Sequence, residues 1–201
     1  ISAQLKKLAA FLSKMAKDLR LQSSGPRGEF NEITLPAVQP GSSIMPGKIN
    51  PVMPELINQI AYQVIGNDVT ITMAVEGGEL DLNVWEPVII KPLFESCTLL
   101  TKAIPLFIDK CLDGLQPNEA VCRHYAEQST ALATVISTLF GYKVGSQIAT
   151  QAFEQGKSVK QVVLEQQLLT QSQAEYLLDP MTMTDPQMSA AAIHRYHQEI
   201  K

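Results

Sequence analysis

The sequence predicts an all-α protein: long helices of a central oligomerising helical bundle, followed by a small helical C-terminal domain. Three observations predict it. Apolar residues recur at three-and-four spacing through several long stretches. Helix punctuation by Gly, Pro and Ser falls between those stretches. No segment shows the apolar–polar alternation of a strand. The expected division lies near residue 114, with 1–114 in the bundle and 115–201 in the smaller domain.

The elements follow in order. Residues 1–21 carry Leu5, Leu8, Ala9, Leu12, Met15 and Leu19 on one helical face, and Ser23-Ser24-Gly25-Pro26 ends that helix. From there to Pro51 the chain reads as loop, a length that is unusual inside a compact domain and is often functional. A helix restarts at Pro51–Pro54, since proline is tolerated in a first turn, and stops at Gly77-Gly78. Another runs from about Asn83 to Leu112, bent by Pro87, Pro92 and Pro105 and closed by Gly114. Both are apolar on most faces, so they are expected to be buried among other helices, including those of other chains. Beyond Gly114 a more polar helix is expected from Pro117-Asn118 to Phe140, and a further one over 143–155. Short helices should start at the capping boxes Ser158–Gln161 and Thr170–Gln173. Pro180 and Pro186 suggest a loose tail.

Composition narrows the function. With 45% hydrophobic and 18% charged residues the chain is globular rather than disordered. A net charge of −4 argues against nucleic-acid binding. Cys97, Cys111 and Cys122 lack zinc-ligand spacing, and Cys97 and Cys111 fall in apolar helical stretches, which fits a reducing, cytoplasmic compartment. His194 and His197 stand three apart but read as surface residues, His124 as structural, and Trp85 and the methionines as core. No metal site and no cofactor are expected. The chain opens on Ile1 in mid-pattern of a helix, which suggests a piece of a longer polypeptide.

The chemistry concentrates in Gly41-Ser42-Ser43-Ile44-Met45-Pro46-Gly47-Lys48-Ile49-Asn50-Pro51. Gly41 and Gly47 permit tight turns and close approach of a ligand. Ser42 and Ser43 bring two hydroxyls and adjacent backbone N–H groups, and Lys48 brings a positive charge. Asn50 can donate an amide hydrogen bond or cap the next helix. That helix aims the positive end of its dipole at the loop. Together these features favour a carboxylate or phosphate, although a solvated turn has the same composition. The Walker A loop is excluded, because its Gly-Lys-Ser/Thr ending is missing.

This loop resembles the signature of the aspartase/fumarase superfamily without departure. The resemblance extends to Asp18-Leu19-Arg20-Leu21, Ser23-Ser24-Gly25-Pro26-Arg27, Gly66-Asn67-Asp68 and Leu82-Asn83-Val84. Within the superfamily, Asn50–Glu55 with Asn58-Gln59, Leu82–Val88, Gly156–Val159 and Val162–Glu165 resemble the aspartase branch more than the fumarase branch. The resemblance implies a lyase that reversibly eliminates ammonia from L-aspartate to give fumarate through an aci-carboxylate. It implies Ser42 as the base, Ser43, Lys48 and Asn50 as substrate-binding residues, and Glu55 as a supporting acid paired with a histidine of another chain. It further implies a homotetramer with active sites shared between subunits. No segment here matches the family's N-terminal substrate-binding threonines and histidine, so the isolated chain is expected to be inactive. Malate/fumarate hydration and a non-catalytic oligomerisation module are the alternatives.

Overall fold

A computed structural model describes residues 1–25, 27 and 29–199. The chain divides into two compact units, Ile1–Asn118 and Glu119–Lys201.

The first unit is built on three long helices, α1 (Ser2–Gln22), α2 (Val52–Glu76) and α3 (Glu86–Phe107). The residues of α1 that meet the other two are small: Ala9, Ser13 and Ala16 are buried at i, i+4 and i+7. Their size lets the backbone of α1 lie close against Ile57, Ala61 and Val64 of α2 and Leu100, Ala103 and Phe107 of α3. Of the residues expected on the buried face of α1, Leu8 and Met15 are instead 41% and 39% exposed. Phe107 and Val64 are almost fully buried, each contributing about 1.5–3 kcal/mol by removal from water.

Polar contacts fix the register. Asn58 Nδ2 donates to the Ser13 carbonyl at 2.9 Å. Asn67 Nδ2 donates to Ser96 Oγ at 3.0 Å and to Glu95 Oε2 at 2.9 Å, tying α2 to α3 one turn from Pro92. α3 begins at Glu86, with Pro87 in its first turn, and unwinds past Pro105 into a single π-turn over Ile108–Leu112. Cys111 is buried there, and that burial pushes its thiol up to about 11, so it stays protonated at neutral pH.

Asp68 is buried on α2 and accepts from Lys6 Nζ (2.5 Å) and Ser2 Oγ (2.6 Å) of α1. The Lys6 contact, aided by Ser2, holds its carboxyl below the usual range despite burial. A depressed carboxylate stabilises the fold above its unfolded value, and that contribution is lost as pH falls through its folded value. Asp68→Asn should therefore cost about 1.5–3 kcal/mol at pH 7, the scale of charged hydrogen bonds, and less at pH 3, below the ordinary carboxylate value. Urea unfolding at the two pH values measures this.

The structure contains strands where none was expected. β1 (Ile33–Thr34) pairs antiparallel with β2 (Gln116–Pro117). Asn118 extends the contact, donating from Nδ2 to the Asn31 carbonyl at 2.7 Å and from its backbone to the Glu32 carbonyl at 2.8 Å. Two-residue strands are too short for alternation to reveal them.

In the second unit the helix expected from 118 to 140 is broken. α4 (Glu119–Gln128) ends before Ser129, which is extended and whose hydroxyl accepts from the Ala131 N–H. A 3₁₀ turn and α5 (Ala133–Phe140) follow. Serine's preference for capping outweighs the continuity of the pattern. α6 (Tyr142–Gln155) ends at Gly156, and α7 (Val159–Glu165) and α8 (Gln171–Leu177) each open on the expected capping box. The tail is not loose. Asp179 and Asp185 accept from backbone N–H groups and start α9 (Pro180–Thr184) and α10 (Pro186–Glu199), with each proline in a first turn. Tyr196 of α10 is buried with Ile136, Ile148, Val159, Val162, Val163 and Leu177. No described helix is long and apolar enough to cross a membrane.

Candidate active site

The loop entering α2 is closed at its base by two bonds. The Gly41 N–H donates to the Lys48 carbonyl at 2.7 Å, and Asn50 Nδ2 donates to the Gly41 carbonyl at 3.3 Å. At the far end the Lys48 N–H donates to the Met45 carbonyl at 3.2 Å. Pro46 and Gly47, with φ of +78° at glycine, make the pattern of a type II turn. Gly41 is required by proximity: a Cβ there would lie 2.9 Å from the Lys48 carbonyl oxygen and 3.0 Å from the Asn50 amide nitrogen.

Ser42 is half-buried inside this frame. Its Oγ accepts from the Ile44 N–H at 3.1 Å and the Met45 N–H at 3.2 Å. Two backbone dipoles therefore converge on one hydroxyl oxygen, an arrangement that favours negative charge there. Ser43 is exposed beside it.

Lys48 and Asn50 face a concavity of about 400 Å³ between the base of the loop and the segment leaving α1, where Ser23, Asn31 and Thr34 add polar groups. Ser42 and Ser43 are not among its lining residues. Asn50 does not cap α2. Pro51 holds the N-cap position without a side-chain bond, and the Asn50 amide is spent on the loop base.

Glu55 lies in the first turn of α2, where a carboxylate suits the helix dipole. It faces Arg20 in the last turn of α1, Nη2 to Oε1 being 3.5 Å. Nothing in the sequence pairs these two, since they are far apart in the chain and only the docking of α1 on α2 joins them. Trp85, expected in the core, is 46% exposed and donates from Nε1 to the Gly77 carbonyl at 2.8 Å. Among the described residues no group of three or more His, Cys, Asp or Glu could hold a metal ion.

Two family models match the chain: a lyase model over residues 1–66, and one for the C-terminus of fumarase C over 132–185. Aspartate ammonia-lyase of Pseudomonas fluorescens is 49% identical over 93% of this chain and 39% of its own length. The chain belongs to the aspartase/fumarase superfamily. Solved structures agree with this membership. The fumarate lyase:delta crystallin of Brucella melitensis, in a crystal structure with cobalt bound, is 49% identical, with a TM-score of 0.86 over 92% of this chain and 40% of that one. The class II fumarase of Schistosoma mansoni is 36% identical, with a TM-score of 0.85 over 92% of this chain and 39% of that one. The chain spans about two fifths of the length of the superfamily relatives it matches. The lyase model reaches across α1, the signature loop and the first part of α2, so Arg20, Ser42, Lys48, Asn50 and Glu55 all lie within it.

Proposed function

We propose that this chain supplies the signature-loop wall of an active site that reversibly eliminates ammonia from L-aspartate to give fumarate. The observation that carries this reading is the pair of backbone N–H groups aimed at Ser42 Oγ. The proton to be removed, on Cβ, is only weakly acidic. Its removal places a second negative charge on the neighbouring carboxylate, as an aci-carboxylate. Ser42, as alkoxide, takes this proton. The electron pair then forms the double bond as the Cα–N bond breaks, and the amine departs as ammonia.

Serine is a poor base in water, so its anion needs fixed dipoles and nearby positive charge. The Ile44 and Met45 amides supply the dipoles, and Lys48 of the same loop is the cation proposed to supply the charge. Lys48 and Asn50, on the rim of the concavity, suit substrate carboxylate oxygens, and Ser43, exposed on the same loop though outside that lining, is proposed to add a hydroxyl. Glu55 supports the site from the first turn of α2. The substrate threonines and histidine would come from elsewhere in a homotetramer. Exposed Val69, Met73 and Phe94 on α2 and α3 are the kind of surface such an assembly covers.

The greater identity to aspartate ammonia-lyases than to the class II fumarase favours aspartate over malate. Dependence of the reverse reaction on ammonia separates the two. The isolated chain is expected to release no measurable fumarate from L-aspartate while still assembling as a tetramer. Turnover comparable with a complete ammonia-lyase would overturn the shared-site reading, and a monomer on size exclusion would overturn assembly through α2 and α3.

A further inference from the structure

The ion pair between Arg20 and Glu55 joins two helix ends with opposite dipoles. Arg20 sits in the last turn of α1, where partial negative charge accumulates, and Glu55 in the first turn of α2, where it is positive. Each charge therefore suits its own helix, and the two helices run alongside each other through the buried Ser13–Asn58 contact. Glu55 Oε1 faces Arg20 Nη2 at 3.5 Å, while among the described residues neither carboxylate oxygen accepts a hydrogen bond.

We infer that Arg20 is a positioning residue for the elimination: its charge holds the Glu55 carboxylate at the first turn of α2, the helix that the signature loop enters, an inference that rests on the function proposed above. Arg20 also offsets the negative charge of Glu55. A site that must stabilise an alkoxide and then a dianionic intermediate gains from having its supporting acid neutralised by an arginine that touches neither. An exposed ion pair contributes only about 0–1 kcal/mol to stability, so a purely structural role predicts a small effect on folding and none on turnover.

The test uses the complete natural polypeptide that contains this chain. Arg20→Met should lower kcat about 10- to 100-fold, the scale of a displaced catalytic group, with KM within about twofold. Arg20→Lys should restore most of the loss, because it returns the charge. In a cycle with Glu55→Gln, the double variant should be no worse than the poorer single variant, since both remove one unit. Additive losses, or a kcat unchanged in Arg20→Met, would overturn the inference while Ser42→Ala remains inactive. If Ser42→Ala is itself active, the proposed function fails first, so the two failures are told apart. Circular dichroism of each variant separates loss of positioning from loss of fold.

Discussion

Ser42→Ala in the complete polypeptide should abolish measurable turnover, by a factor of about 100 to 10,000 from loss of the base alone. The factor grows if the orphaned Ile44 and Met45 amides recruit a water that blocks the substrate. Formation of fumarate, followed by its ultraviolet absorbance, measures the loss. The assembly should keep its size, because the hydrogen bonds that the Ser42 side chain makes among the described residues stay within its own loop. The loop base should persist as well, since the Gly41–Lys48 and Asn50–Gly41 bonds do not involve the Ser42 side chain. Activity within about tenfold of the parent would show that another group removes the proton, because even modest general-base catalysis exceeds that factor.

Gly145→Ala should be the most damaging small change in the second unit. In an exposed helix, alanine in place of glycine gains about 0.8–1 kcal/mol of helix propensity. Here the added Cβ would lie 1.9 Å from Ser137 Oγ, 2.9 Å from Ser137 Cβ and 2.9 Å from the Ala133 carbonyl oxygen. α5 and α6 touch at this point through backbone and a small side chain, so the helices must separate. Overpacking of this kind costs about 1–3 kcal/mol and occasionally more, which outweighs the propensity gain. At about 4–8 °C per kcal/mol for a domain of this size, the melting temperature of the second unit should fall clearly. Ser137→Ala added to this variant should recover only part of the loss. It removes the Oγ conflict but leaves the Ser137 Cβ and Ala133 carbonyl in place.

Much of the fold was legible because its signals are local. Periodicity located α1, α2 and α3, and the capping boxes at Ser158 and Thr170 placed α7 and α8 through bonds three residues long. The misses have equally local causes. Ser129 outweighed a continuous apolar pattern because its hydroxyl offers the backbone a competing bond. Pro180 and Pro186 suggested looseness, whereas each follows an aspartate that caps a helix, so each proline starts an element. The periodicity puts Leu8, Ala9 and Met15 on one buried face, of which Ala9 is buried, with Ser13 and Ala16, while Leu8 and Met15 are exposed, because close helix packing selects small residues over large ones.

The candidate site divides along the same line. The residue types of the loop are readable from the sequence. The Ser42 turn, the use of the Asn50 amide at the loop base and the proximity of Arg20 to Glu55 are not. The first two depend on backbone direction within a few residues. The third depends on how two distant helices dock, which no local pattern encodes.

The closed base of the 41–48 loop has a consequence for how such proteins diversify. Because the Gly41–Lys48 bond already fixes the two ends, the residues between them form a compact Ω-type insert whose interior has little to do with the helical core. Substitutions at Ser43, Ile44 or Met45 change what the insert offers a ligand while leaving the buried contacts of α1, α2 and α3 untouched. Such a chain can vary its tip without drawing on the stability of its scaffold, so selection for ligand recognition and selection for folding act on separate residues.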